Sequence, residues 1–272
     1  MATVLLDGLA IGESPRWHAT PQDGGRLWLC NWTTQEIRAV EVDGSFEIIA
    51  HVPTTVPFSI DWLPDGTLLA VAGQEAQLLR FEGDGSFSLY ADLSKLGTVF
   101  NEIVIDSFGN AYVNGDSIVL VRPDGSAVEV ANGLEFGNGM AIYPDGKTLI
   151  VAESHGNRLS AFTIAGDGTL HERRIWADLG EGVPDGICID AEGAVWYADV
   201  PNKECVRVRE GGQVLERVSV DRGCFACILG GPDGRTLFIL AAHWYGMDQI
   251  FIRNHEGQLL THRVEVPHAG LP

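Results

Sequence analysis

Three oxygen-bearing side chains recur at one offset along the chain. Asn101 lies eight residues before Gly109, Asn138 eight before Gly146 and Asp185 eight before Gly193. The same count reaches Phe58 before Gly66 and Ala226 before Gly234. Near the N-terminus, Asp-Gly-Leu-Ala-Ile-Gly-Glu at 7–13 parallels Asn-Gly-Leu-Glu-Phe-Gly-Asn at 132–138, which brings Glu13 to the place of Asn138. Each of the four is followed by apolar or small residues expected to be buried. Two carboxylates and two amide oxygens are costly to bury unless something cationic sits among them. Hard oxygen donors suit a calcium-like ion, with Mg²⁺, Mn²⁺ or Zn²⁺ as alternatives. A polar channel filled with water is the other reading of the same positions.

The offset has meaning only if the chain repeats, and it does. A short apolar strand leads into a Gly-containing turn, and a second, almost wholly apolar strand follows. The turns are 64–66, 107–109, 144–146, 191–193 and 232–234, with Gln22-Asp23-Gly24 as a looser first copy. The strands after them start at Leu27, Leu68, Ala111, Leu149, Val195 and Leu237, spaced 41, 43, 38, 46 and 42 residues apart. A more polar strand comes next, then a hairpin turn such as Asp43-Gly44 or Asp124-Gly125, whose glycines supply the positive φ of tight hairpins. A fourth strand closes the unit. Four antiparallel strands at this period make a propeller blade. The prediction is an all-β chain, a six-bladed β-propeller with four antiparallel strands per blade, as one domain over residues 1–272. No segment carries helical periodicity, so helices should be few. In a propeller the first strand of each blade lines the central channel, so Glu13, Asn101, Asn138 and Asp185 would point at one axis from four blades. Val4-Leu5-Leu6 and the segment 259–264 both suit the last blade, and either terminus can supply its outermost strand.

Composition narrows the partners. Eighteen Lys and Arg against thirty-seven Asp and Glu give a formal charge of −19. Such a surface repels phosphate backbones and anionic lipid, which argues against nucleic-acid and membrane partners. No apolar run reaches the length of a bilayer span, and the N-terminus carries neither a basic flank nor an apolar signal core, so a cytoplasmic location is expected. The five cysteines, Cys30, Cys188, Cys205, Cys224 and Cys227, sit in apolar stretches without zinc or disulfide spacing and read as small core residues.

At the four axial residues the chain resembles the gluconolactonase/regucalcin (senescence marker protein) family of calcium-dependent lactonases. The resemblance spans essentially the whole chain and lies in Gly12-Glu13-Ser14-Pro15-Arg16-Trp17, Phe100-Asn101-Glu102, Gly137-Asn138-Gly139-Met140-Ala141 and Pro184-Asp185-Gly186-Ile187, with the Pro-Asp-Gly turns at 144–146 and 232–234. It implies metal ligands at Glu13, Asn138 and Asp185, a substrate-contacting Asn101, and a catalytic base at Asp185. Glu102 stands where the family carries Asp and joins Asn101 in the implied substrate site. Two departures matter. Val99 replaces an Arg that members opening sugar lactones often carry, and the stretch 113–119 is short, so a lid loop is expected to be missing. Both favour a smaller or less polar cyclic ester over a polyhydroxylated one.

The expected reaction is metal-assisted hydrolysis of a lactone. Gly-x-Ser-x-Gly, His-Glu-x-x-His and nucleotide-binding glycine motifs are absent. Ester or phosphotriester cleavage at the same ion, and a calcium-binding propeller without turnover, are the alternatives. His243 reads as a packed or surface residue before a pocket one. Glu153, Asp199 and Asn114 read as turn or rim residues, and Trp17, Trp32, Phe58 and Trp244 as core before pocket wall.

Overall fold

The computed structural model describes residues 1–19, 25–251 and 255–272. The turn Gln22-Asp23-Gly24 lies outside the described residues. Strands β1 (Thr3–Leu9) to β25 (His268–Ala269) account for almost all regular structure; two short 3₁₀ turns, Trp32–Thr34 and Met247–Gln249, are the helical elements among the described residues.

Those strands pair into six antiparallel sheets, a six-bladed β-propeller. Blade 1 is β2 (Gly12–His18), β3 (Arg26–Asn31), β4 (Glu36–Val40) and β5 (Phe46–His51). Blade 2 is β6 (Phe58–Trp62), β7 (Leu68–Ala72), β8 (Gln77–Phe81) and β9 (Phe87–Asp92). Blade 3 is β10 (Phe100–Ile105), β11 (Ala111–Gly115), β12 (Ile118–Val121) and β13 (Ala127–Ala131). Blade 4 is β14 (Gly137–Ile142), β15 (Thr148–Glu153), β16 (Arg158–Ile164) and β17 (Leu170–Asp178). Blade 5 is β18 (Pro184–Asp190), β19 (Val195–Asp199), β20 (Glu204–Val208) and β21 (Val214–Ser219). Blade 6 is β22 (Gly223–Gly230), β23 (Thr236–Ala242) and β24 (Gly257–Arg263), completed by β1 from the other end of the chain.

The second strands are apolar because both of their faces are covered. β7 and β19 are buried at every residue, whereas the outermost β5 is exposed at most of its positions. Burial of this inter-blade surface is the main stabilising term, at roughly 25 cal/mol per Å² of apolar area. All five cysteines are buried, as small core residues should be. The two termini share the closure. β1 pairs with β24, so the segment 259–264 makes the third strand and the N-terminus the fourth. The C-terminal β25 pairs with Ile189 and Asp190 at the end of β18, and Leu271 bridges Ile142 at the end of β14. The tail therefore crosses the ends of inner strands opposite to Asn138 and Asp185.

Close packing at the axis requires glycine. A Cβ on Gly139 would lie 2.5 Å from the Asp185 carbonyl oxygen, and one on Gly186 would lie 2.7 Å from Ala226 Cα. These two residues let the inner strands of blades 4, 5 and 6 touch backbone to backbone, which brings the preceding Asn138 and Asp185 together.

Candidate active site

Three of the four axial residues, Asn101, Asn138 and Asp185, reach their positions within an interruption in strand pairing, and Glu13 is the residue just before one. Phe100 pairs with Gly115 and Ile103 with Val113, so Asn101 and Glu102 together face Asn114 alone. Gly137 pairs with Glu153 and Met140 with Val151, leaving Asn138 and Gly139 opposite Ala152. Asp185 and Gly186 stand likewise opposite Ala198. In blade 1 the shift falls between Glu13 and Arg16. Such bulges bend a strand and re-aim a side chain. Blade 2 runs in unbroken register from Phe58–Ala72 to Trp62–Leu68, and its Phe58 is fully buried. Blade 6 is bulged between Cys224 and Ala226 but places the apolar Ala226 at that level.

Glu13, Asn101, Asn138 and Asp185 line one cavity of about 960 Å³. Asn101 Nδ2 donates to Asn138 Oδ1 at 3.1 Å, and Asn138 Nδ2 donates to Ser154 Oγ at 3.3 Å. Ser154 Oγ in turn donates to the Pro184 carbonyl at 2.6 Å, which ties blade 4 to the strand that carries Asp185. Nothing in the pattern of repeats singled out Ser154. Its role comes from a contact across a blade boundary.

The electrostatics of the cavity floor are unbalanced. Burial pushes the Glu13 carboxyl well above the ordinary carboxylate range, and repulsion from Asp185 and Glu102 adds to it. Burial likewise pushes Asp185 up, with Glu102 adding and a hydrogen bond from Asn138 opposing. Arg16 is the weakest influence on Glu13 and is committed elsewhere, to Glu102 at 3.0 Å and Asp61 at 3.8 Å. Two desolvated carboxylates beside two amide groups, with the nearby guanidinium spent on other acids, form a donor set that fits a hard divalent cation.

Glu102 sits apart from this floor. Its Oε1 accepts from Arg16 Nη2 at 3.0 Å, from Ser14 Oγ at 3.2 Å and from its neighbour's amide, Ile103 N–H, at 2.8 Å. Neither Glu102 nor Arg16 lines the cavity. Asp61 completes the group; burial raises its carboxyl to about 6 against the pull of Arg16.

Side chains at the ends of second strands clamp the lead-in loops. Asn31 accepts from Ala10 N–H at 2.8 Å, Glu153 from Glu135 N–H at 2.8 Å and Asp199 from Val183 N–H at 3.1 Å. Each acceptor is fully buried, and the amides they hold, those of Ala10, Glu135 and Val183, lie two or three residues before Glu13, Asn138 and Asp185. Asn114, also fully buried, accepts from Glu102 N–H at 3.1 Å and donates to the Asn138 carbonyl at 2.5 Å. Glu153, Asp199 and Asn114 are thus interior supports rather than rim residues. Burial pushes the Glu153 carboxyl up, but hydrogen bonds from Arg158, the Glu135 amide, Ser160 and Arg173 outweigh it and hold it at about 2.

The aromatic residues divide. Trp32, Trp244 and His243 line the cavity, and Phe225 supports Trp244 edge-on at 5.6 Å. Trp17 stacks on Phe238 at 5.5 Å in the core of blade 6, and Phe58 belongs to the core between blades 1 and 2. β11 and β12 are joined by Asp116 and Ser117 alone, the short connection read from 113–119.

A six-bladed propeller whose channel mouth gathers hard oxygen donors from four blades defines the class of protein. The sequence matches the family model described as SMP-30/Gluconolactonase/LRE-like region over residues 11–243, and the chain belongs to that family. It is 27% identical over 268 residues to regucalcin of Xenopus laevis, covering 90% of this chain and 87% of that protein. It is 24% identical over 243 residues to pentonolactonase XacC of Haloferax volcanii, covering 85% of this chain and 81% of that protein. Among solved structures, a luciferin-regenerating enzyme superposes with a TM-score of 0.82 at 17% identity, over 99% of this chain and 98% of its own. That likeness is one of fold.

Proposed function

We propose that this protein is a metal-dependent hydrolase that opens a lactone, with Glu13, Asn138 and Asp185 holding one divalent cation, calcium first and Zn²⁺, Mn²⁺ or Mg²⁺ as substitutes. The observation that carries the reading is the convergence of Glu13, Asn101, Asn138 and Asp185 from four blades in one cavity, with two carboxyls there pushed up by burial first and by neighbouring acids, Glu102 among them. Family membership supports it, as does the relative named a pentonolactonase.

When bound, the cation supplies Lewis acidity at the ester carbonyl and offsets the negative charge that develops there. The chain's own groups do the rest. Asp185 accepts the proton of the attacking water as the carbonyl carbon gains its new oxygen. As the ring ester bond breaks, that proton passes to the departing ring oxygen, and the product is a hydroxy acid. Asn101, whose carboxamide faces the cavity beside Asn138, orients the substrate by hydrogen bonds. Glu102 supports the same strand through Arg16 and Ser14. Glu13, the most buried of the donors, keeps its carboxylate in place for the cation.

The chain acts in this reading as one domain on a small molecule in the cytoplasm, where five buried unpaired thiols suit a reducing compartment. No helix among the described residues is long and apolar enough to cross a membrane. The test is a screen of γ- and δ-lactones, sugar-derived and plain, following acid release with and without chelator. Hydrolysis that is lost on chelation and restored by calcium is the expected result. Turnover untouched by exhaustive chelation sinks the cation, and near-normal turnover by Asp185→Ala on every substrate sinks the base.

A further inference from the structure

We propose that the lactone this site takes carries an apolar alkyl or aryl substituent of several carbons, which lies along the cavity wall above the four donors, and that Phe136 selects for it. The proposal rests on the lactone reading above and names its substrate class. The cavity of about 960 Å³ is at the upper end of the range for drug-sized ligands, about 300–1,000 Å³. A bare or sugar-sized ring occupies a small part of it.

The wall chemistry selects what fills the remainder. Val99, Phe136, Trp244 and Met247 line the cavity and are 40%, 54%, 43% and 54% exposed, so their carbon surface is presented to a ligand rather than packed away. Polar groups that share the wall are partly spent on the protein itself. Trp32 Nε1 donates to the Phe58 carbonyl at 2.7 Å, and Gln74 Nε2 donates to the Val56 carbonyl at 3.1 Å. A polyol has a hydroxyl on nearly every carbon, and each one buried without a partner weakens binding. An alkyl or aryl group asks only for carbon.

Phe136 marks this wall as built for a purpose. Its backbone has φ 61°, the left-handed region that a bulky aromatic residue rarely adopts. The conformation is held by Ser154 N–H donating to the Phe136 carbonyl at 3.0 Å and by the ring stacking on His155 at 4.6 Å. Strain of this kind persists where the surroundings impose it, and it clusters at ligand sites. Asn tolerates the same φ with less strain, which separates the backbone's needs from those of the ring.

The experiment compares kcat/KM for γ-valerolactone, γ-nonalactone and D-glucono-δ-lactone, using the calcium-loaded full chain. Burial of one methylene is worth about fourfold. γ-Nonalactone should therefore exceed γ-valerolactone roughly tenfold or more, with the sugar lactone lowest. Phe136→Asn should keep or raise Tm while lowering the nonalactone-to-valerolactone ratio roughly fivefold or more; Trp244→Ala should lower it too. A sugar lactone handled as well as γ-nonalactone, or a ratio that neither variant moves, overturns the proposal. Calorimetric binding of 5-pentylpyrrolidin-2-one and pyrrolidin-2-one, lactams that resist hydrolysis, separates the two readings. Tighter binding of the pentyl lactam without turnover of any lactone sinks the hydrolase reading and keeps the apolar wall. Equal binding of the two lactams sinks the wall.

Discussion

The floor and the walls of the cavity are built by different means. On the floor, Asn101, Asn138 and Asp185 sit in strand bulges, and buried Asn31, Glu153 and Asp199 clamp the lead-in loops of Glu13, Asn138 and Asp185. On the walls, Phe136, Trp244 and Met247 stand between strands and stay open to solvent. A bulge held by interior hydrogen bonds keeps an oxygen where a cation and a reacting carbonyl need it, and such sites lose function from small displacements. A wall residue on a connection can change without moving the scaffold, which suits the choice of substrate. Change on the floor should cost activity or stability heavily, and change on the wall should cost little beyond selectivity.

The largest expected effect is at Asp185. Asp185→Ala removes a proposed ligand and the proposed base together, and kcat/KM for the best lactone should fall roughly a thousandfold or more. A fall of only severalfold would move the chemistry off the floor.

Glu153 comes next, as the support on which two arginines converge. Glu153→Gln leaves Arg173 without its carboxylate partner and Arg158 with Glu135 alone, and because both guanidinium groups reach solvent the cost should be about 2–3 kcal/mol in urea unfolding. The same residue gives a pH signature. Its pKa of about 2 lies below the ordinary 4.5, so its contribution to stability is complete above pH 4.5 and is lost as pH falls towards 2. Stability of the wild type should drop more steeply through that window than stability of Glu153→Gln. Parallel curves would show that the carboxylate is not the acid-sensitive support.

Gly186→Ala tests the close approach at the axis. The added methyl would meet Ala226 Cα and Cβ at 2.7 Å, so β18 must move away from β22. We expect a loss of about 1–3 kcal/mol, with a fall in turnover because Asp185 is the adjacent residue. A variant with unchanged Tm and turnover would mean that the inner strands have room to spare. The smallest effect should be at the wall: Met247→Ala, 54% exposed in the native fold, should change stability by about 0.5 kcal/mol or less. A larger loss would show that the wall carries the fold as the floor does.

The number of blades, the order of strands and the register that aligns Glu13 with Asn101, Asn138 and Asp185 were legible in the sequence, because hairpin glycines and strand alternation are local. The same local signals led to Glu153, Asp199 and Asn114 being read as rim residues, since a polar residue at a strand end looks alike whether it meets water or a buried amide. Contacts far apart along the chain decided the rest. Glu102 meets Ser14 across 88 residues and Arg16 across 86, and that pairing turns it from the cavity towards its own ion pair. Closure of blade 6 by β1, and the passage of β25 across the opposite end of the inner strands, likewise required the ring to shut. The shape and apolar lining of the cavity emerged only there, because walls drawn from different blades share no pattern until packing brings them around one axis.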